Sequence, residues 1–583
     1  MTIIKGRGRR REGILFPGAR VQGTGVAVDR PWLKHWPENV PKTIDYPKVS
    51  VAGLLERAAK DWPASVATRF YGVETTYGEL DAAVSRFAGG LRRIGVKPGD
   101  RVSLLMPNCP QFVIAFFGII RAGAFLVQTN PLYTPRELEE MYRDAGVETV
   151  VCADLYFKNV AKAREKVPIQ RVVVTDIKEY LPGLLAVLYP IKKKRDFGKI
   201  VIPVAPWVHR FQDILAAEPF SQEPKDLNDV AVLQYTGGTT GIPKGAMLTH
   251  RNIVVNAYQA VAWFPGLRPG KETFLCAIPF FHVYGLTTAL VGPITIAAAM
   301  VIHPNPREIE ALMKLITKTQ PTVFPGVPTM YVAIVNHTKV SKYDLKSVRA
   351  CISGSAPLPV EVRHKFEAIT GGKLVEGYGL TEASPITHCN PIFGLYKDGI
   401  GMPVSDTDSK IVDLETGTQD LPAGKAGELA IKGPQVMKGY WNRPDETAKV
   451  FVQDGWLLTG DIAEMDSDGY FTIVDRKKDM ILCSGYNVYP REVEEVLFMH
   501  PAIKEAAAVG VPDPYRGETV KAFIVLKEGS TATDEEIRAF CKERLAPFKV
   551  PRKIEFMNEL PKTMVGKVLR RALREKELGK PAG

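Results

Sequence analysis

Short apolar runs without polar alternation recur along the first half of the chain, separated by longer segments of helical period. Residues 100–106, 124–127, 150–154 and 171–175 are of the first kind, the pattern of strands buried on both faces. Residues 109–122 are apolar and long enough for a central helix. Thr134-Pro135-Arg136-Glu137 opens another helix: threonine caps it, proline takes the first position, and glutamate stands three residues after the cap. Repeated β-α-β units of this kind predict a largely parallel sheet covered by helices. The longest apolar stretch, 286–302, is broken by Gly292-Pro293 and threonines. It falls short of the roughly 20 uninterrupted residues a membrane span needs and reads as buried core.

Beyond Gly401 the rhythm changes to strands and turns: 409–413, 427–432 and 470–474. A dense charged knot, Asp475-Arg476-Lys477-Lys478-Asp479, then separates two apolar strands. An amphipathic helix at 491–497 and strands at 506–511 and 521–526 follow. The fold expected is α/β. A large N-terminal domain (1–474) of α/β subdomains plus a β-rich subdomain precedes a hinge (475–479) and a small, mobile α+β C-terminal domain (480–583).

Composition narrows the class. Hydrophobic content of 45% and charged content of 24% over 583 residues describe a globular chain of several domains. Seven scattered cysteines form no C-x-x-C pair, which excludes a disulfide framework and a zinc site and points to a reducing, cytoplasmic setting. The net charge of +12 is concentrated in 542–580. Prolines and apolar residues recur there, so the stretch reads as a folded domain facing phosphates rather than a nucleic-acid arm. Residues 181–190 (LPGLLAVLYP) precede Lys192-Lys193-Lys194-Arg195. A segment on an anionic membrane face and a buried helix with a solvated end are both compatible with that pattern.

The densest chemical signal is Tyr235-Thr236-Gly237-Gly238-Thr239-Thr240-Gly241-Ile242-Pro243-Lys244-Gly245, between an apolar run (230–233) and a helix-like segment. Glycines let backbone N–H groups turn towards an anion, threonines add donors, and lysine adds a point charge. It is no Walker loop, because Pro243 precedes Lys244 and Gly245 stands where the magnesium-binding hydroxyl belongs. Gly377-Tyr378-Gly379-Leu380-Thr381-Glu382 follows a short strand. Its glycines suggest backbone approaching a flat ring, and Glu382 offers a hard oxygen for magnesium. Ser353-Gly354-Ser355-Ala356-Pro357-Leu358 also ends a strand, where open α/β sheets bind ligands. Asp461, after Thr459-Gly460, could accept ribose hydroxyls.

These motifs, the charged knot and Leu560-Pro-Lys-Thr-Met-Val-Gly-Lys567 stand in the order found in the adenylate-forming enzyme superfamily, which the chain resembles from about Val51 to Leu573. Within it, the stretches 454–463, 475–481 and 484–490 are similar to those of bacterial long-chain fatty-acid–CoA ligases. The resemblance implies two steps: ATP and a fatty acid give acyl-AMP and pyrophosphate, then CoA gives acyl-CoA and AMP. It implies Lys567 as the cation bridging carboxylate and α-phosphate, and His282 near the acyl carboxylate. Tyr235 to Gly241 and Lys244 would hold the β- and γ-phosphates, with Thr239 and Glu382 positioning Mg2+. Tyr378, with Gly377, Gly379 and Thr381 around it, would lie against adenine, which Ser355, Ala356 and Pro357 would line. Asp461 and Arg476 would bind ribose. Rotation about Lys478 would bring Ser484, Gly485 and Tyr486 towards CoA, whose phosphates the basic tail would attract. Leu286 replaces the tryptophan gate of some members, and Leu482 replaces a lysine of plant-type ligases, so neither function is assigned here.

Other readings compete. An amino-acid adenylation domain needs an acid near the histidine, and 280–290 contains none. Medium-chain or aryl acids, or a carrier protein in place of free CoA, remain alternatives. A membrane-surface or nucleic-acid binding protein would show salt-sensitive binding without pyrophosphate release. The expected partners are fatty acid, ATP and CoA, with no nucleic acid and with peripheral contact to the inner membrane face left open.

Overall fold

The computed structural model describes residues 29–224, 226–236, 243–483, 486–514, 516–563 and 566–577. A seven-stranded sheet runs Val208–Arg210, Arg171–Thr175, Val147–Ala153, Arg101–Leu105, Phe125–Gln128, Val230–Thr236, Lys244–Thr249. All neighbours are parallel except the last pair. A nine-stranded sheet contains six consecutive parallel strands, Val66–Phe70, Ala299–Ile302, Thr273–Cys276, Val323–Gly326, Ala350–Ser353 and Lys373–Gly379. One continuous apolar core joins the two sheets. At its centre lies Pro110–Arg121, buried at every residue, as expected of a helix apolar all round. Its terminal Arg121 is neutralised by Asp81 at 2.6 Å and Glu56 at 3.1 Å. The helix at Pro135–Ala145 has the full capping box expected at Thr134 and Glu137, and 286–302 is core.

Two further sheets complete the chain. Asp408–Val412, Gly427–Lys432, Phe451–Val452, Trp456–Met465 and Phe471–Arg476 form an antiparallel sheet. Ile481–Cys483, Tyr486–Val488, Ile503–Asp513, Gly517–Leu526 and Lys553–Phe556 form the last one. The helices Pro490–Phe498 and Asp534–Lys542 pack on it around a core of its own, and Arg570–Glu577 packs on a second small cluster. Among the described residues, no helix is long and apolar enough to cross a membrane.

One expectation is corrected and two readings are narrowed. The glycine/threonine loop is followed not by a helix but by the antiparallel strand Lys244–Thr249, so it closes a hairpin. Ala246 and Leu248 face the core from that strand. The helix waits for the capping box of Thr249 and Asn252. Part of the basic tail is ion-paired. Lys549 meets Glu492 at 2.6 Å, Lys562 meets Glu505 at 2.7 Å, Arg570 meets Glu494 at 2.6 Å, and Lys576 meets Glu555. Acids of the same C-terminal module thus offset part of that charge.

Of the two readings left open for 181–190, the buried helix does not hold. Gly183–Phe197 is helical with no buried residue. Its orientation is set by Lys193, whose ammonium is held by Asp154 and by Asp176, the latter at 2.5 Å. Ion pairing rather than leucine burial decides which side faces in. Lys193→Ala is therefore expected to loosen this helix and make chymotryptic cleavage between Leu184 and Phe197 several-fold faster in limited proteolysis. An unchanged cleavage rate would show that other contacts hold it.

Candidate active site

The site starts from three amide side chains at the carboxyl rim of the seven-stranded sheet. Asn108 Nδ2 donates to the Cys276 and Ile278 carbonyls at 3.2 and 2.8 Å, and its Oδ1 accepts the Phe280 N–H at 2.7 Å. Gln128 donates to the Phe280 carbonyl at 3.3 Å and Gln234 to the Phe281 carbonyl at 3.0 Å. Gln128 and Gln234 are register partners on adjacent parallel strands. Sequence reasoning missed all three. The available signal was a glutamine at the same end of two otherwise apolar strands, FLVQ and VAVLQ.

The clamped segment delivers His282. Its Nδ1 accepts the Tyr284 N–H at 3.3 Å, which leaves the proton of the neutral ring on Nε2. Desolvation, then the charge of Lys567, pushes its pKa down to about 4, so at neutral pH it is an uncharged donor. Tyr284 Oη lies 3.1 and 2.8 Å from the Gly326 and Ile352 carbonyls. Gly354 lets the next loop pack on that ring, since a Cβ there would stand 3.0 Å from it. On this loop Ser355 adopts φ +72°, Ser355 and Ala356 are half-buried, and Pro357 is exposed. The loop is pinned by the Leu358 N–H donating to Glu376 at 3.1 Å. Burial pushes the Glu376 carboxyl up to about 7.

Beside this loop, Tyr378 Oη donates to Asp461 Oδ2 at 2.5 Å, and Arg476 lies 3.3 Å from Asp461 Oδ1. Asp461 and Arg476 are cross-strand partners in the antiparallel sheet. The glycines around Tyr378 serve the fold itself: a Cβ on Gly379 would overlap the Pro385 carbonyl, and one on Gly377 would reach Ile352 at 2.6 Å. Thr381 and Glu382 begin a short turn, and Glu382 Oε1 accepts the Tyr440 hydroxyl at 2.7 Å. Glu382, Tyr440, Thr459, Gly460 and Lys477 line one cleft.

The two strands of the hairpin, Val230–Thr236 and Lys244–Thr249, carry further polar side chains. Tyr235 donates to Asp144 at 2.7 Å, an acid that Arg443 also holds. Thr236 Oγ1 donates to the Lys244 carbonyl at 3.4 Å. Lys244 pairs with Glu446 and lies 5.4 Å above the Tyr440 ring. Lys244 and Lys449 hold the Glu446 carboxyl at about 2. Sequence reasoning had no means to find Glu446, two hundred residues away. Gly237, Gly238, Thr239, Thr240 and Gly241 lie outside the described residues, as do Ser484 and Gly485.

Lys567 reaches this cleft from the C-terminal sheet. Its N–H donates to Thr563 Oγ1 at 3.1 Å, and its carbonyl accepts the Thr563 N–H at 2.8 Å. Gly566 needs no side chain for two reasons: its φ is +77°, and a Cβ would come within 2.7 Å of Thr329 Oγ1 on the large N-terminal part. Desolvation first, then Arg476 and Lys478, push the Lys567 pKa down to about 7 against the pull of Asp461 and Asp479. Lys478 is lowered too, by desolvation and then by Arg476. The structure therefore brings Lys567, His282, Asp461, Arg476 and Lys478 within electrostatic reach of one another. Tyr486 instead stacks on Phe548 at 4.5 Å and is 58% exposed.

A rim of strand ends faced by a lysine loop from a small second sheet is the architecture of an enzyme that encloses an anionic substrate in two parts. The chain belongs to the AMP-binding enzyme family: that family's model matches residues 55–441, and the model of the AMP-binding enzyme C-terminal domain matches residues 492–567. It is 47% identical over 562 residues to a long-chain-fatty-acid–CoA ligase of Bacillus subtilis, covering 94% of this chain and 98% of that one. It is 41% identical over 560 residues to a long-chain-fatty-acid–CoA ligase of Escherichia coli, with the same coverage. Its fold is similar to ATP-bound MatB from Rhodopseudomonas palustris, with a TM-score of 0.77 at 30% identity over 90% of this chain and 98% of that one.

The electrostatics can be tested in solution. After reductive 13C-methylation, the Lys567 signal, assigned by its loss in Lys567→Arg, is expected to titrate near 7. Removing the Arg476 charge with Arg476→Gln should move that midpoint upwards. A midpoint in the ordinary lysine range near 10.4 would contradict the geometry.

Proposed function

We propose that the chain is a long-chain-fatty-acid–CoA ligase working through an acyl-adenylate. A carboxylate oxygen of the fatty acid attacks the α-phosphorus of ATP, forming acyl-AMP as the bond to pyrophosphate breaks. The CoA sulfur then attacks the acyl carbonyl, AMP leaves, and the thiol proton passes to solvent. The observation that carries this reading is the desolvated Lys567 beside His282, Asp461 and Arg476. Joining two anions needs preorganised donors and cations more than an acid or base.

In this reading Lys567 bridges the carboxylate and the α-phosphate. Substrate charge would return its lowered pKa towards the ordinary range, so nucleotide binding near pH 7.5 takes up a proton. His282 donates from Nε2 to the carboxylate without competing for it as an acid. Tyr378 lies against adenine, with Gly377, Gly379 and Thr381 shaping the turn and Ser355 to Pro357 forming the other wall. Asp461 and Arg476 exchange part of their mutual pairing for ribose hydroxyls. The hairpin loop from Tyr235 to Gly241 holds the terminal phosphates, and Lys244 leaves Glu446 to meet them. Glu382 is half-buried, lines the cleft and gives one oxygen to Tyr440, a hard-oxygen setting that fits Mg2+ together with Thr239. The ion would neutralise phosphate charge. For the second step the C-terminal module, from about residue 480, turns about Lys478 and brings Ser484, Gly485 and Tyr486 to CoA. Such rotation separates two chemistries in one cleft. The setting is cytoplasmic, with contact to the inner face of the membrane that supplies the lipid.

Pyrophosphate release across fatty acids of increasing length, with and without CoA, tests the reading. Release should rise towards long chains, with acyl-CoA formed from free CoA. Preference for aryl or medium-chain acids, or no thioester with free CoA, would replace it. Lys567→Ala is expected to abolish adenylation while largely sparing thioester formation from supplied acyl-AMP. Equal loss of both half-reactions would refute separate roles. Gln234→Leu, which leaves the Phe281 carbonyl without its donor, should raise KM for the acid by about tenfold, since small misplacements of reacting groups are costly. ATP affinity should hold.

A further inference from the structure

One helix lies on this rim with its amphipathicity reversed. In Gly183–Phe197 the side facing the body carries Tyr189, half-buried against the core, and Lys193, paired with Asp154 and Asp176. Leu184, Val187 and Ile191 are 73%, 71% and 69% exposed, with Leu185 and Leu188 also exposed beside them. Helical spacing puts 184, 187, 188 and 191 on one outward stripe. Lys192, Lys194 and Arg195 are exposed at its C-terminal end, Arg195 beside Asp196. A contiguous apolar stripe kept in water is unfavourable and marks an interaction surface. The flanking cations give the partner's sign.

Position supplies the rest. Asp154 and Asp176 immediately follow the strands Val147–Ala153 and Arg171–Thr175. The helix is therefore pinned to the same carboxyl rim that carries Asn108, Gln128 and Gln234. We propose that this stripe docks the enzyme on an anionic lipid bilayer, with the leucines, valine and isoleucine entering the headgroup–acyl boundary. Lys192, Lys194 and Arg195 meet lipid phosphates there. The inference rests on an acyl-chain substrate, which partitions into such a surface, and it puts the site's open rim towards that supply.

Flotation of the full chain with vesicles tests it, using equal parts phosphatidylglycerol and phosphatidylcholine against phosphatidylcholine alone. The wild type should float with the anionic vesicles, less so at high salt. Both L184S/V187S/I191S and K192E/K194E/R195E should weaken flotation by at least about tenfold. Pyrophosphate release on octanoate, a water-soluble acid, should stay at the wild-type level in both variants. Loss of flotation with activity retained supports docking through this face. A wild type that does not float, or an apolar variant that floats equally, overturns it. So would a wild-type dimer in light scattering that the apolar variant dissolves, since the stripe would then belong to a second copy. Absence of pyrophosphate release from the wild type would count against the ligase reading instead, whatever the flotation result.

Discussion

The two large sheets meet through backbone carbonyls that one sheet offers and amide side chains that the other supplies. Asn108, Gln128 and Gln234 hold 276–281 through five hydrogen bonds in a buried setting. A buried polar group left unmet costs about 1–3 kcal/mol, so the irregular segment can exist there only while these donors are in place. Everything downstream depends on that register: the direction of His282, the seat of Tyr284 under Gly354, and hence the loop that ends at Leu358. Gln234 is also the residue before Tyr235, so the strand that clamps the histidine segment leads straight into the hairpin loop.

The charge pattern of the cleft follows a second constraint. Arg476, Lys478 and Lys567 lie near Asp461, Asp479 and Glu382, and desolvation leaves the cations under-compensated. Lys567 responds by favouring its neutral form, while Lys244 and Arg476 borrow carboxylates from Glu446 and Asp461. Such a cleft is tuned for a guest that brings its own negative charge. Polyphosphate supplies it, and each borrowed carboxylate can then be released without leaving a buried charge unpaired.

Much of this was legible in the chain because it was local. The parallel strands, the capping box at Thr134 and the buried stretch 286–302 rest on periodicity and short-range chemistry, and they appear where expected. Glu382 and Asp461 were readable as candidate oxygen ligands from their glycine-flanked loops, whereas Lys567 was readable only through a resemblance, since nothing in a lysine near a basic terminus distinguishes it from a solvated one. Glu446 was not readable, because its partner lies across the fold. The hairpin strand after the loop was missed because Lys244–Thr249 is too short for its period to separate helix from strand. The outward face of 183–197 was left open because an apolar run beside cations fits both burial and a surface, and the fold decides between them by committing the inward side to a lysine and two aspartates.

Part of the basic tail braces the C-terminal module itself. Arg570, three residues after Lys567, grips Glu494 at 2.6 and 3.1 Å and lies 3.6 Å from Asp479 in the charged knot. Glu494 in turn accepts the Ala508 N–H at 2.9 Å from the strand Ile503–Asp513. One guanidinium thus ties the lysine loop both to the helix Pro490–Phe498 and to the charged knot 475–479. Rotation at Lys478 would then move Lys567 as part of a solid body rather than as a loose loop. That rigidity is what a single lysine needs if it is to be present for one reaction and absent for the next.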